Sequence, residues 1–514
     1  MTTSHRQIAR AASVVMATFV ASRLLGLVRD IVISAHFGTS DALDAYNAAF
    51  RVPDIIFTLM AGGALASAFI PTFSGYLARD DDEGAWRLAS SIINLLLAGL
   101  TVAAVIAALL AEPLVTYILA PGFSPEKQAL TIPLMRLLLI APIIFSVSGV
   151  VMGILNAKQD FILPGLAPIA YNLAIIAGAL LLSPTLGIYG LAIGAVIGAG
   201  LHFLVQVPGL IKVGARYSAR LSLRDPGVRQ VLRLMAPRVL GLAIVQINFL
   251  VETILASNLG TGAVSALNYA WRVMLLPQGV VAQSVAIAAF PTFSDQFARG
   301  QLDQLRSALS ATLRVILFIA IPSAVGLLVL RVPLIQLIFQ RGEFQDTSTE
   351  LVATALGFYA LGLIGHSGVE ILTRAFYGMH DTRMPVALGI VSLIINLVLS
   401  LSLINVLGIA GLALANTVAA LAEMVLLAWV LRSRLGGLDD QRILATTLKT
   451  VVASLAMAIG VWGFLNLTES MGSIVRGVLG ILFGGGVFFG AAWLLRIEEL
   501  RMMLAMIKRR RSRS

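Results

Sequence analysis

The sequence predicts an all-α integral membrane protein. About fourteen transmembrane helices are expected, as two six-helix lobes related by a pseudo-two-fold axis along the membrane normal, with two further C-terminal helices. Three observations predict this. Of 514 residues, 58% are apolar and only 12% charged, with a mean hydropathy of +0.92, which describes a membrane protein and leaves no room for a soluble catalytic domain. Apolar stretches long enough to span a bilayer recur from end to end. The two halves of the chain also repeat each other at an offset of about 221 residues.

The stretches fall at about 11–37, 47–75, 88–111, 131–155, 161–182, 186–211, 234–259, 265–294, 307–330, 347–373, 384–404, 408–431, 444–466 and 471–495. The first, preceded by the basic start Met1 to Arg10, reads as a retained span, because no small-residue cleavage pattern precedes its charged positions. The second and eighth both carry helix breakers: Pro53 and Pro71 around Gly62-Gly63, and Pro277 with Pro291. Gly190, Gly194 and Gly198, four apart in the sixth, read as a close-packing face. The longest polar interval, roughly Lys212 to Arg233, is too short to fold alone. The thirteenth and fourteenth stretches have no counterpart in the first half.

The repeat rests on shared polar, Pro and Gly positions. Asn47 to Val52 matches Asn268 to Val273, Pro71-Thr72-Phe73-Ser74 matches Pro291-Thr292-Phe293-Ser294, Asp160 and Pro164 match Asp381 and Pro385, and Leu186 to Ala192 matches Leu407 to Ala413. Six stretches per copy, an even number, make both copies enter the membrane in one direction, as in transporters. The domains expected are an N-lobe 1–220, a C-lobe 221–435, and a segment 436–514 holding the last two helices and a basic tail.

The net charge of +11 does not point to nucleic acid. The Lys and Arg gather in alternate connecting segments, and only Lys127, Arg331 and Arg341 fall in the opposite set, so both termini are expected in the cytoplasm. The tail Lys508 to Arg513 reads as an anchor to anionic lipid. The chain has no cysteine, which excludes disulfides and thiolate metal sites.

Charge inside the first stretch is the main functional signal. Ser22-Arg23-Leu24-Leu25-Gly26-Leu27-Val28-Arg29-Asp30 puts three charges into an apolar helix, where each mid-membrane Arg costs roughly 2.5–3.5 kcal/mol. Arg23 and Asp30, seven apart, share a helix face about 10 Å apart along the axis, while Arg29 points about 100° away. Arg51 and its repeat equivalent Arg272 occupy corresponding places in the second and eighth stretches. Four planar, permanently charged forks suit phosphate oxygens, so Arg23, Arg29, Arg51 and Arg272 are the candidate substrate-binding residues for a phosphate or pyrophosphate. Asp30 is the gating or pairing acid, expected to act on Arg23. The other reading is internal Arg–Asp pairing that locks the lobes.

Among the in-span acids, Glu370 can pair with Arg374 four residues on. Glu252, with Asn396, Ser400 and Asn416, is the candidate site for a coupling monovalent cation, the one exception to an expectation of no cofactor. No catalytic residue or metal site is expected. The five histidines lack ligand partners at useful spacing, and nucleophile elbows and phosphate-cradling glycine loops are missing.

Several motifs together resemble the MurJ (MviN) family of lipid II flippases, within the multidrug/oligosaccharidyl-lipid/polysaccharide exporter superfamily. They are Ser22-Arg23 through Arg29-Asp30, Asp44-Ala45 with Phe50-Arg51-Val52-Pro53, Gly63-Ala64 through Ala68-Phe69-Ile70-Pro71, and Tyr269-Ala270 with Arg272 and Leu276-Pro277. The resemblance implies alternating access in a bacterial inner membrane and cavity arginines at Arg23, Arg29, Arg51 and Arg272. It implies a polyprenyl-pyrophosphate-linked substrate whose tail lies along the last two helices, and membrane lipids and cell-wall synthesis proteins as partners. The chain departs from the family at Phe57, Gly62 and Trp271, where members often carry Arg, Glu and an acid. Rival readings are a flippase for another polyprenyl-linked glycan, a multidrug exporter, a membrane-embedded glycosyltransferase, which would need outer-loop carboxylates beyond Glu112, Glu126, Glu343 and Asp346, and a non-transporting scaffold.

Overall fold

A computed structural model describes residues 3–502; the basic tail 508–513 lies outside them. Among the described residues all regular secondary structure is helical. Twelve helices are long and apolar enough to cross a membrane, and they coincide with the second to seventh and ninth to fourteenth predicted stretches. The remaining two stretches are helical as well: Thr3–Phe37, and Ala263–Pro277 continuing through a π-helical turn, Gln278–Ala282, into Gln283–Ala298. The chain is a multi-pass membrane protein. Its helices keep many large apolar side chains exposed, Leu109, Leu181, Ile459, Trp462 and Trp493 among them, as lipid contact requires.

The internal repeat is visible in the elements themselves. Asp82–Leu109 recurs as Leu302–Val329, the helical segment Pro125–Ala157 as Asp346–Gly378, and Ile162–Leu186 as Arg383–Leu407. The joints recur too. Left-handed residues at Gly38, Asp80, Gln159 and Gly187 reappear at Gly260, Gly300, His380 and Gly408. A positive φ at the same joint in both copies is a local constraint that apolar similarity alone does not produce.

Of the breakers read from the sequence, Gly62 and Pro277 mark interruptions, whereas Pro53, Pro71 and Pro291 lie inside continuous helices. The second stretch divides at Gly62 into Asp41–Ala61 and Gly63–Leu77. A Cβ on Gly62 would lie 2.6 Å from the carbonyl oxygen of Thr58, so the break needs glycine. In the eighth stretch the widened turn Gln278–Ala282 follows Pro277 directly.

By packing, the chain forms two compact units, Met1–Val264 and Ser265–Ser514. The first has a core of Phe69, Phe73, Trp86, Leu88 and Leu100 with Val228 and Val231. Helix Pro226–Ala256, which the repeat counts with the second half, packs here on Asp41–Ala61 and Gly63–Leu77. Packing and repeat therefore draw the border differently, and polar contacts described below explain why. Gly190, Gly194 and Gly198 form the close-packing face: a Cβ on Gly194 would meet the Cα of Gly178 at 2.9 Å, and one on Gly198 would meet the ring of Tyr171 at 2.7 Å.

In the second unit a core of Phe293, Leu305, Leu309, Ile371, Phe376 and Leu427 continues into a cluster that attaches the last two helices, Asp440–Leu467 and Ser473–Leu494. There Phe318 meets Phe488 at 5.4 Å between ring centroids. An ion cluster lies beside it: buried Arg314 reaches buried Glu499 at 2.8 Å and the exposed Glu498 at 2.9 Å, and Thr446 donates to Glu499. At the joint after Asp346–Gly378, Asp381 accepts from Arg434 at 2.7 Å and from the N–H groups of Arg383 and Met384. Burial acts to raise the Asp381 carboxyl, but these hydrogen bonds outweigh it and hold it below the usual carboxylate range.

Two outcomes follow. Gly194→Leu should lower stability by roughly 1–3 kcal/mol in detergent unfolding, whereas Gly463→Ala, which meets nothing within 4 Å, should not. Because the Asp381 value is depressed on folding, the Arg434 contact stabilises above the unfolded carboxylate value near 3.9 and is lost as pH falls below it. Arg434→Ala should therefore cost at most about 1 kcal/mol at neutral pH, given its exposure, with the difference vanishing in acid unfolding curves.

Candidate functional site

The charged stretch of the first helix is built on Thr3–Phe37. Arg29 is half-buried and Asp30 buried, and the Arg29 Nε and Nη2 donate to Asp30 Oδ1 at 3.1 and 2.9 Å. Arg29 Nη1 donates to Asn172 Oδ1 at 3.1 Å. Asn172 sits in helix Ile162–Ala177 and anchors itself through its own amide, which donates to the carbonyls of Ser22 and Pro168. Arg23 is exposed and lies over the ring of Phe19, 5.2 Å from its centroid.

The expected partnership of Asp30 with Arg23 is thus corrected. A shared helix face leaves the two roughly 10 Å apart along the axis, while the long Arg29 side chain folds back onto its neighbour. The acid partly neutralises Arg29, and Arg23 keeps its donors available.

Arg51 lies in helix Asp41–Ala61 and is half-buried. Its Nε donates to Thr253 Oγ1 at 3.1 Å, and its guanidinium lies 5.3 Å from the Phe249 ring centroid. One turn on, Gln246 Nε2 donates to Asp54 Oδ2 at 3.2 Å and Thr58 Oγ1 at 2.7 Å. Arg238 also donates to Ser67. Residues 51, 54 and 58 share one helix face and 246, 249 and 253 another, so their spacing makes a polar seam. This seam holds helix Pro226–Ala256 on the first unit. Above it, Asp44 is fully buried, accepts from the Gly262 N–H at 2.7 Å and pairs with Lys127 at 2.8 Å, whose ammonium also reaches Asp41.

Arg272, in Ala263–Pro277 of the second unit, is half-buried and follows Trp271, which packs edge-on against Tyr359 and His366. Glu252 belongs to the first unit and is half-buried. Asn396 and Ser400 of the second are buried and bonded to each other at 3.1 Å, while Asn416 is 3.0 Å from His366 Nε2. Glu370 pairs with Arg374 at 2.7 Å, as its spacing predicts. Among the described residues no three His, Asp or Glu side chains group as a metal site.

Sequence reasoning missed Asn172, Thr253, Gln246, Asp54 and Thr58. Asp54 was open to detection as a charge three residues from Arg51 inside an apolar helix. Asn172, Gln246 and Thr253 became visible as partners only once distant helices were placed side by side.

An all-helical multi-pass chain with duplicated helices, guanidiniums inside its spans and this architecture is a membrane transporter by fold. An inward-facing multidrug MATE transporter of the MOP superfamily superimposes with a TM-score of 0.72 at 18% identity, covering 82% of this chain and 96% of that one. A solved structure of the lipid II flippase MurJ in an inward closed conformation superimposes with a TM-score of 0.79 at 26% identity, over 94% of this chain and 98% of the other. The model of the family described as lipid II flippase MurJ matches residues 33–482. Lipid II flippase MurJ of Burkholderia cenocepacia is 32% identical over 421 residues, 80% of this chain and 81% of that protein. A probable lipid II flippase MurJ of Bdellovibrio bacteriovorus is 30% identical over 504 residues, covering 96% of each. The chain belongs to the lipid II flippase MurJ family.

Removal of Lys127 would take away the ammonium paired with the buried Asp44 carboxylate. Lys127→Met should cost roughly 3–5 kcal/mol, measured by thermal unfolding, and adding Asp44→Asn should recover part of the loss.

Proposed function

We infer that the chain moves lipid II, a polyprenyl-pyrophosphate-linked peptidoglycan precursor, from the inner to the outer leaflet of a bacterial inner membrane by alternating access. The observation that carries this reading is membership of the flippase family over residues 33–482. The in-span guanidiniums supply chemistry that suits it. Arg23, Arg29, Arg51 and Arg272 bind the pyrophosphate, and Asp30 holds Arg29 in place until substrate arrives. The three-way bonding of Arg29 to Asp30 and Asn172 supports this role, because it orients one guanidinium edge while moderating its charge.

The lobes that move are the repeats 1–220 and 221–435, with 436–514 carrying the tail-binding helices and both termini in the cytoplasm. An inside-negative potential favours outward movement of an anion by roughly 2.3 kcal/mol per charge per 100 mV and draws the emptied, positive site back. A monovalent cation is the proposed coupling ion of the return step, with the amide and hydroxyl oxygens of Asn396, Ser400 and Asn416 as its donors in the second unit and Glu252 as a separate acidic candidate in the first. Hard oxygen donors of this kind suit such an ion. Export of cationic compounds is opposed by the sign of the four arginines.

The test is complementation of a flippase-depleted bacterium. The unsubstituted chain should restore growth, whereas Arg29→Ala and Arg272→Ala, present in the membrane at equal levels, should fall by about tenfold to a hundredfold in activity. That range corresponds to the loss of one charged hydrogen-bonding group. Full rescue by both variants would overturn the assignment of the arginines.

A further inference from the structure

We propose that segment 215–224, between helices Val207–Lys212 and Pro226–Ala256, is an interfacial strap that binds the head groups of anionic phospholipids. This goes beyond the transport reading and does not depend on it. The segment belongs to the longest polar interval of the sequence, yet it is not a free linker. It runs without helical structure along helix Asp82–Leu109, which supplies its hydrogen bonds. Asn94 donates to the carbonyls of Ser218 and Arg220 at 3.0 and 2.8 Å and accepts from the Tyr217 hydroxyl at 2.6 Å, and Ser90 accepts from the Ser218 N–H at 3.1 Å. The far end is tied as well. Asp225 caps helix Pro226–Ala256 and pairs with Arg87, and Arg229 donates to the carbonyl of Leu223.

Two features turn this fixed segment into a surface for a charged bilayer. The first is its alternation: Arg216, Ser218, Arg220, Ser222 and Arg224 occupy even positions, and Tyr217, Ala219, Leu221 and Leu223 odd ones. Alternate positions of this non-helical run carry a basic set and an apolar set, up to the turn at 223–224. No neighbouring strand covers either. Tyr217 is 64% exposed, Leu221 56% and Leu223 54%, and the three arginines are exposed as well. A purely solvated charge run has no reason to expose three large apolar side chains beside its charges.

The second feature is depth. Asn94 lies just past Ser90-Ser91, near the start of the apolar run of a helix long and apolar enough to cross a membrane, which puts the strap at the level of the membrane surface. Irregular backbone persists there only where protein satisfies its polar groups, and Asn94 and Ser90 do so. Apolar odd positions then enter the acyl boundary, while Arg forks engage lipid phosphates bidentately.

The chain has no cysteine, so Ala219→Cys places one environment-sensitive fluorophore on the apolar side of the full-length protein. The labelled protein is reconstituted in vesicles of phosphatidylcholine alone, or of phosphatidylcholine and phosphatidylglycerol in equal parts. In the anionic vesicles the probe should be quenched by nitroxide-bearing lipid and protected from aqueous iodide. That protection should be lost in phosphatidylcholine and at roughly 1 M salt, where screening acts within about 3 Å. Arg216→Gln, Arg220→Gln and Arg224→Gln should shift the partition toward water by about fivefold for each arginine removed, while lysine at the same positions should retain most of it. Equal iodide access in both lipids would overturn the proposal. So would equal protection in both, which would mean that protein covers the strap. The comparison of the two vesicles uses native arginines, so it stands even where the Gln variant does not fold.

Discussion

The structure depends on one constraint: a guanidinium inside an apolar helix needs partners within its own reach, because the membrane supplies none. Arg29 meets it with Asp30, one residue away, and with Asn172 from another helix. Arg51 meets it with Thr253 and the face of Phe249. Both arginines draw a polar partner from another helix.

The same need decides which helices pack together. Helix Pro226–Ala256 opens the second copy of the repeat, yet Thr253, Gln246 and Arg238 bond to Arg51, to Asp54 with Thr58, and to Ser67. In lipid, apolar surfaces have little preference for one another, so polar contacts and close backbone approach fix helix neighbours. That is why this helix sits with the first unit by packing. The glycine face at Gly194 and Gly198 fixes neighbours by the other route, backbone approach. The last two helices use a third device, an ion cluster of Arg314 with Glu498 and Glu499 next to an aromatic contact.

Much was legible in the chain. The apolar stretches were readable because spanning a bilayer fixes their length, and the breaks at Gly62 and Pro277 because backbone chemistry acts locally. The repeat was readable through Asn, Arg, Pro and Gly at a steady offset, and the structure adds left-handed joints at the same offset, from Gly38 and Gly260 to Gly187 and Gly408. The family resemblance stood on the first-helix motif together with Arg51 and Arg272. The partner of Asp30 was misread, because angular position on a helix says which residues share a face but not how far an Arg side chain can fold back.

Sequence alone therefore determined the class of protein, the helices and their breaks, the duplication and the four arginines, all of which follow from local composition or spacing. Only the tertiary structure decided that Asn172 completes the Arg29 site, that Gln246 and Thr253 bind a helix to the other copy's unit, and that residues 215–224 lie pinned along Asn94 with both faces open. These are contacts between residues 123 or more positions apart, and no periodicity encodes them. They arise where packing brings a lone polar group within about 3 Å of another that the membrane leaves unsatisfied.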